Sequence, residues 1–322
     1  FIRLGHSVLE FSDRDIVKHY KSIKDYTGAK TLNEKLINTV YNYKPDLLIF
    51  GHADLIKDQT LSYLKDNYKN LKIAQWFLDP LIKNGPDYGK NKSRILDKIE
   101  FTDANFITTS PDVLNFLPKN KLSLFMPNPT DPSFEVLNNY ENNHCSMDVF
   151  FALSHGVHRG VLKKGKYDER ADFVNRLVEV TPNVKFDLYG INNIQPIWAD
   201  SFLKSISNAK MGVNLSRGDP IKYYSSDRIT QLIGNGLLTF IHKDTLYSNF
   251  FDDKEIIYYS NLHDLSEKIK KFAIDDYLRK KIAKRGKAKY MKFFNSTIVA
   301  DYIINNTFDI KSKKNKYIWV KK

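Results

Sequence analysis

Short apolar runs alternate with helix-length amphipathic segments along most of this chain. Asp46–Gly51, Leu71–Phe77, Asn105–Thr109 and Leu122–Met126 read as buried strands. Helix-period segments, Leu32–Tyr43 and Leu55–Asn67, precede the first two, and Ser110-Pro111-Asp112 starts a short helix. Phe1–Phe11 predicts a helix end, a turn at Gly5-His6 and a strand over Ser7–Phe11, with an earlier strand and its Gly turn expected ahead of Phe1. Three prolines within Pro127–Pro132 stop any helix or central strand and mark a linker. A second series follows, with strands at Met147–Leu153, Val184–Tyr189, Lys210–Leu215, Leu237–Ile241 and Glu255–Tyr259. Helices are predicted at Asp168–Val180, Trp198–Ser207, Asp227–Ile233, Leu262–Phe272 and Asp275–Phe294. This alternation implies an α/β protein of two Rossmann-like, doubly wound domains, residues 1–128 and 129–322, facing a cleft.

Composition narrows the class. Hydrophobic residues at 42% and charged residues at 27% suit a globular protein, and no apolar run approaches the roughly 20 residues of a membrane span. The single Cys145 excludes an internal disulfide and fits a reducing cytoplasm. The histidines lack metal-ligand spacing with a carboxylate cluster, so no metal and no cofactor are expected. Of the net charge of +13, residues 261–322 carry +11 (17 Lys/Arg against 6 Asp/Glu), leaving +2 for the rest. That basic end suits peripheral contact with the inner face of a membrane better than nucleic acid, while the patch Tyr317–Val320 is expected to pack back on the protein.

The densest chemistry lies between Asn214 and Gly236. A strand, a basic loop and a helix there place Arg217, Lys222 and Arg228 near a helix start, with Ser225 or Ser226 as its cap and Asp227 in its first turn. At a strand's carboxyl end this suits a phosphorylated ligand. Gly156 and Gly160 would let the backbone approach a phosphate that Arg159 neutralises, with His155 and His158 able to contact phosphate or sugar. In the first half His52, Asp54 and Asp79 follow strands, where a general base could sit, and His6 is a weaker candidate. Trp76 and Trp198 are read as core aromatics.

The run Asn214–Ile241, with Arg170-Ala171-Asp172-Phe173, Leu188-Tyr189-Gly190 and Asp227–Gln231, resembles the group 1 glycosyltransferases, most closely their CgeB-like (spore-maturation type) branch. Gln75–Asp79 and Leu124–Asp131 resemble the first-domain Trp/Asp segment and the interdomain crossing of that family. The resemblance implies a GT-B fold, with the sugar nucleotide held by the second domain and the acceptor by the first. By that implication Arg159 and Lys222 meet the diphosphate and the loop after Tyr189-Gly190 borders the base. Gln231 stands where the family has a Glu on the ribose, and Tyr223 where it has a second Glu.

The resulting reading is a metal-independent, retaining glycosyltransferase that moves a sugar from a nucleotide donor to a glycan, lipid-linked or protein acceptor in surface polysaccharide or glycoconjugate synthesis. His52 and Asp79 are its catalytic candidates. Gly156, His158, Arg159, Tyr189, Gly190, Arg217, Lys222, Tyr223, Ser226, Asp227, Arg228 and Gln231 are its donor-binding candidates. The alternatives are a non-catalytic GT-B protein that binds a nucleotide sugar or glycan, and a sugar-nucleotide epimerase.

Overall fold

The computed structural model describes residues 1–85, 87–154, 157–158, 161–162, 168–311 and 316–320. The chain forms two compact units. Phe1–Leu81, Asp87–Met126 and Thr297–Lys314 make the first; Ile82–Pro86, Pro127–Ser296 and Asn315–Lys322 make the second.

The first unit contains α1 (Asp13–Tyr20), α2 (Ala29–Tyr43), β1 (Leu47–Phe50), α3 (Asp58–Asn67), β2 (Lys72–Phe77), α4 (Tyr88–Ile99), β3 (Ala104–Ile107), β4 (Ser123–Phe125) and nearly all of the late helix α10 (Ser296–Thr307). Its four strands pair in chain order, all parallel. Leu32, Leu36 and Val40 recur at helical spacing on α2 and bury against Leu61, Leu64 and Ile73. Each such side chain contributes about 1.5–3 kcal/mol of transfer free energy. Buried Gln75 donates to the Ile95 carbonyl (3.0 Å) and to Asn105 Oδ1 (2.7 Å), tying β2 to α4 and β3.

In the second unit β5 (Met147–Ala152) leads into a short antiparallel pair, β6 (Val157–His158) with β7 (Val161–Leu162), and α5 (Glu169–Glu179), β8 (Phe186–Tyr189), α6 (Ala199–Ile206), β9 (Ala209–Asn214), α7 (Arg228–Gly234), β10 (Leu238–His242), β11 (Ile257–Tyr259), α8 (Leu262–Ile274) and α9 (Asp276–Phe293) follow. The parallel sheet has the order β11-β10-β9-β5-β8. Side chains alternate across it: Val149 and Phe151 join the core under α5 and α8, whereas Phe150 joins Ile206 and Leu232 under α6 and α7. Helix α9 lies so close to the backbone at Glu255 that a Cβ on Gly286 would stand 2.1 Å from that carbonyl oxygen.

Three sequence expectations are corrected here. Ser7–Phe11 forms no strand: the chain makes a 3-10 turn at Ile2–Leu4, then runs without regular structure to Ser12, which caps α1 by accepting from the Asp15 N–H. Helices α1, α4 and α10 lie where no helix was read: α1 buries none of its residues, α4 buries the polar Asn91 and Lys98, and α10 carries apolar side chains on most of its circumference. Residues 297–314 belong with the first unit rather than with 129–322 as a whole. The tail patch packs as read, with Tyr317 and Trp319 buried and Trp319 set 5.2 Å from the Phe294 ring.

Candidate functional site

In the second unit the chain runs outward from β5 to β8, then returns to β9 on the other side. The order therefore reverses between β5 and β9, the place where open α/β sheets bind ligands at their carboxyl edge. Arg228, the first residue of α7, spans this point. Its Nε and Nη2 donate to the Ala152 carbonyl at the end of β5 (3.2 and 3.0 Å), and its Nη1 to the Leu215 carbonyl just past β9 (2.9 Å) and to Ser226 Oγ (3.1 Å). The guanidinium also lies 4.9 Å from the Phe151 ring centroid. Burial, then the neighbouring Arg170 charge, lowers its pKa to about 10, so it stays cationic at neutral pH. Arg170 itself is held by the Asp168 carboxylate in a two-bond fork (2.9 and 2.7 Å).

A cavity of about 500 Å³ opens over this edge. Ala152, Leu153 and Ser154 come from the end of β5, Ile197–Ala199, Phe202 and Leu203 from the start of α6, Asp227, Arg228 and Gln231 from α7, and Ser133–Glu135 from the segment after the prolines. Two aromatics on its wall keep large free faces: Trp198 is 53% exposed and Phe134 73%. Trp198 is thus no core residue, contrary to the sequence reading. Nor is Trp76 buried, at 37% exposure on β2. The signal for Trp198 lay in its position at a helix start after a strand, which its residue type outweighed.

The structure brings Asp227, Arg228 and Gln231 to the cavity and sets other candidates aside from it. Tyr223 is buried in a left-handed backbone conformation (φ 63°), its hydroxyl accepting from Asn249 (2.9 Å) and its ring 4.6 Å from Phe250. It supports the loop from below. Neither Ser225 nor Ser226 caps α7: Ser225 accepts from Asn214 Nδ2 (2.7 Å), Ser226 donates to Asn214 Oδ1 (3.0 Å), and Asp227 takes the cap position without a side-chain bond. Lys222 places its ammonium 5.1 Å from the Tyr223 ring, and Arg217 is half-buried on the same loop. Tyr189 spends its hydroxyl on Ser205 (3.0 Å). Gly190 is required: at φ 75° its backbone passes so near Leu153 that a Cβ would stand 1.9 Å from that carbonyl oxygen. His155, Gly156, Arg159 and Gly160 lie outside the described residues, and His158 belongs to β6.

A separate charged cluster caps the carboxyl ends of β1 and β2 in the first unit. His52 Nε2 stands 2.9 Å from Asp79 Oδ2, and Arg94 forks onto Asp54 (2.9 and 2.5 Å) while approaching Asp79 at 3.7 Å. Asp79 is held below the usual carboxylate range by its bond from His52, against a burial that pushes the other way, with the charges of His52 and Arg94 assisting. For Asp54 burial is again opposed, and outweighed, by Arg94. Lys98, buried beside them, is pushed down by desolvation. Sequence reading named His52 and Asp79 singly; adjacency of β1 and β2 makes them a pair. Among the described residues no three His, Cys, Asp or Glu side chains gather as a metal site would need.

A family model described as "Glycosyl transferase-like" matches residues 169–305. No curated protein matches by sequence. Among solved structures the fold is that of the GT-B glycosyltransferases. Anabaena HepE in complex with UDP aligns at 11% identity and TM-score 0.59, covering 87% of this chain and 82% of that one. Sucrose-phosphate synthase from Thermosynechococcus elongatus aligns at 11% identity and TM-score 0.59, over 88% and 79%. TarM aligns at 13% identity and TM-score 0.57, over 87% of this chain but 58% of TarM, so the chain spans little more than half of that protein.

Proposed function

We propose that this chain is a metal-independent glycosyltransferase whose second unit holds a nucleoside-diphosphate sugar. The observation that carries the reading is the cavity at the β5/β9 reversal, which joins a buried arginine, an amide side chain and an exposed indole on one wall. Trp198 offers a face on which a base stacks. The Gln231 amide can both donate to and accept from ribose hydroxyls, so it replaces a Glu there without losing the contact. Arg228 supplies fixed positive charge beneath the cavity, which favours the diphosphate as negative charge develops on it. HepE bound to UDP or UDP-glucose, and TarM bound to UDP with alpha-GlcNAc-glycerol, support a uridine donor and a glycan or glycerol-bearing acceptor. Synthesis of a surface polysaccharide or glycoconjugate at the cytoplasmic side of a membrane is the setting this reading assigns.

On the first unit, Asp79 fixes the His52 ring so that one nitrogen is left to take the acceptor proton. An oriented base of this kind favours inversion at the anomeric carbon, whereas retention, which the group 1 resemblance implies, needs no base on the acceptor. Calorimetric titration with UDP, GDP and ADP, followed by a nucleotide-release assay with the conjugated sugars, tests the proposal. Binding of one nucleoside diphosphate and its release on turnover support it. Binding of none overturns it. Binding with no release under any acceptor selects the non-catalytic reading, which the structural use of Tyr223 in place of an acidic residue favours.

A further inference from the structure

Helix α9 presents two unlike faces. Arg279, Ile282, Ala283, Gly286 and Tyr290 are buried against the second unit. On the outer side Tyr277, Lys281, Lys284, Arg285, Ala288 and Lys292 are exposed. At 3.6 residues per turn these six fall within an arc of about 100°. Four of them are cations and none is acidic. The acidic residues at the helix start are already engaged, since Asp275 caps α9 through the Leu278 N–H (3.0 Å) and Asp276 binds Arg279 (2.7 Å) and Lys280 (2.9 Å). At the same end two large apolar side chains stand in water, Tyr277 at 77% exposure and Ile274, the last residue of α8, at 87%. Lys271, one turn before Ile274, is exposed as well.

We propose that this face is a docking surface for an anionic lipid bilayer, with α9 lying along the membrane plane. A stripe of lysine and arginine is drawn to a negatively charged leaflet, and its long stems let the charges reach the headgroups while the helix stays in the interface. Ile274 and Tyr277 decide between lipid and another polyanion. A phosphate polymer would satisfy the cations but would give an exposed isoleucine nothing to bury against; a bilayer offers both a charged surface and an apolar layer just below it. Among the described residues no helix is long and apolar enough to cross a membrane. Contact through this face would bring the second unit to lipid-borne acceptors whatever sugar is transferred, and it stands independently of the donor assignment.

The test is co-sedimentation of the whole chain with vesicles of phosphatidylcholine alone or mixed with phosphatidylglycerol, at low and high salt. Binding is expected only with the anionic vesicles, falling as salt rises. The triple variant Lys281→Gln/Lys284→Gln/Arg285→Gln should lose about a hundredfold in partitioning, at about fivefold per cation. Ile274→Ser should weaken binding at unchanged charge. Circular dichroism and a melting curve for each variant establish that it is folded. Equal binding to neutral and anionic vesicles, or none to either, overturns the proposal. So does retention of full binding by the folded triple variant. Binding to an RNA or DNA duplex but not to vesicles overturns it in favour of a nucleic-acid surface.

Discussion

Arg228 donates two hydrogen bonds to one acceptor, the Ala152 carbonyl, and thereby joins the first residue of α7 to the last residue of β5 across the reversal of strand order. A third bond to the Leu215 carbonyl draws in the end of β9. The side chain that looked from sequence like a ligand-binding arginine is therefore also what holds the floor of the cavity together. Arg228→Ala leaves two half-buried carbonyls without their donor and removes the cation from the Phe151 face. A loss of about 2–4 kcal/mol is expected in urea denaturation. Arg228→Lys keeps the charge but not the fork, and should recover less than half of that loss. Nucleotide affinity of these variants is meaningful only well below their melting temperatures.

Gly190 ends β8 where its backbone meets that of Leu153. Gly190→Ala forces a left-handed residue to carry a Cβ into a carbonyl oxygen 1.9 Å away, so backbone must shift on both strands. The expected cost is at least about 2–4 kcal/mol, read as a lowered melting temperature or loss of soluble protein. Unchanged stability would mean that these two strand ends do not lie together.

Trp198 provides the contrasting case. Over half of its surface is exposed, so Trp198→Ala should leave the melting temperature within about 1 °C, since surface changes stay near ±0.5 kcal/mol. Stacking of a base on an aromatic ring is worth about 1–3 kcal/mol, so nucleotide affinity should fall about tenfold or more. Equal affinity in calorimetry would place the base elsewhere.

Much of the frame was legible because parallel strands buried on both faces leave continuous apolar runs. Leu47–Phe50, Lys72–Phe77 and Met147–Ala152 sit inside strands read from that pattern, and Leu238–His242 runs one residue past the strand read at Leu237–Ile241. Helix α4 was illegible because its buried positions include Asn91 and Lys98, polar residues whose burial no periodicity announces. Around the start of α7 the sequence marks candidate ligand contacts but not the bonds those side chains make within the fold. Charge and residue type marked Ser226 and Arg228 as ligand contacts, and the family resemblance marked Tyr223; only the geometry shows that Tyr223 and Ser226 brace the loop through Asn249 and Asn214, and that Arg228 staples two strands.

Asp103 carries a testable pH dependence. Its carboxylate accepts from Lys65 (2.6 Å), Lys72 (3.4 Å) and the Ile73 N–H (2.8 Å), and these partners hold its pKa below the ordinary value although burial opposes them. A depressed carboxyl pKa stabilises the fold fully above the unfolded value and loses that contribution as pH falls through the folded one. The wild type should therefore lose stability below about pH 4 more steeply than Asp103→Asn. At neutral pH the variant should be about 1–3 kcal/mol less stable in urea melts. Parallel acid limbs for the two proteins would rule out this carboxylate as a source of the acid sensitivity.

His52 and Asp79 allow chemistry and architecture to be separated. The 2.9 Å bond places the pair at the ends of two adjacent strands, partly open to solvent, where loss of one partner leaves the core beneath them unchanged. Asp79→Asn keeps shape and hydrogen-bonding capacity but no longer stabilises a protonated imidazole. If His52 is the acceptor's base, kcat should fall about 10²-fold with KM for the donor nearly constant, and His52→Ala should fall as far. A purely structural pair would instead lower melting temperature and leave kcat where it was. Retention of configuration in the product, together with full activity of His52→Ala, would remove the dyad from the reaction.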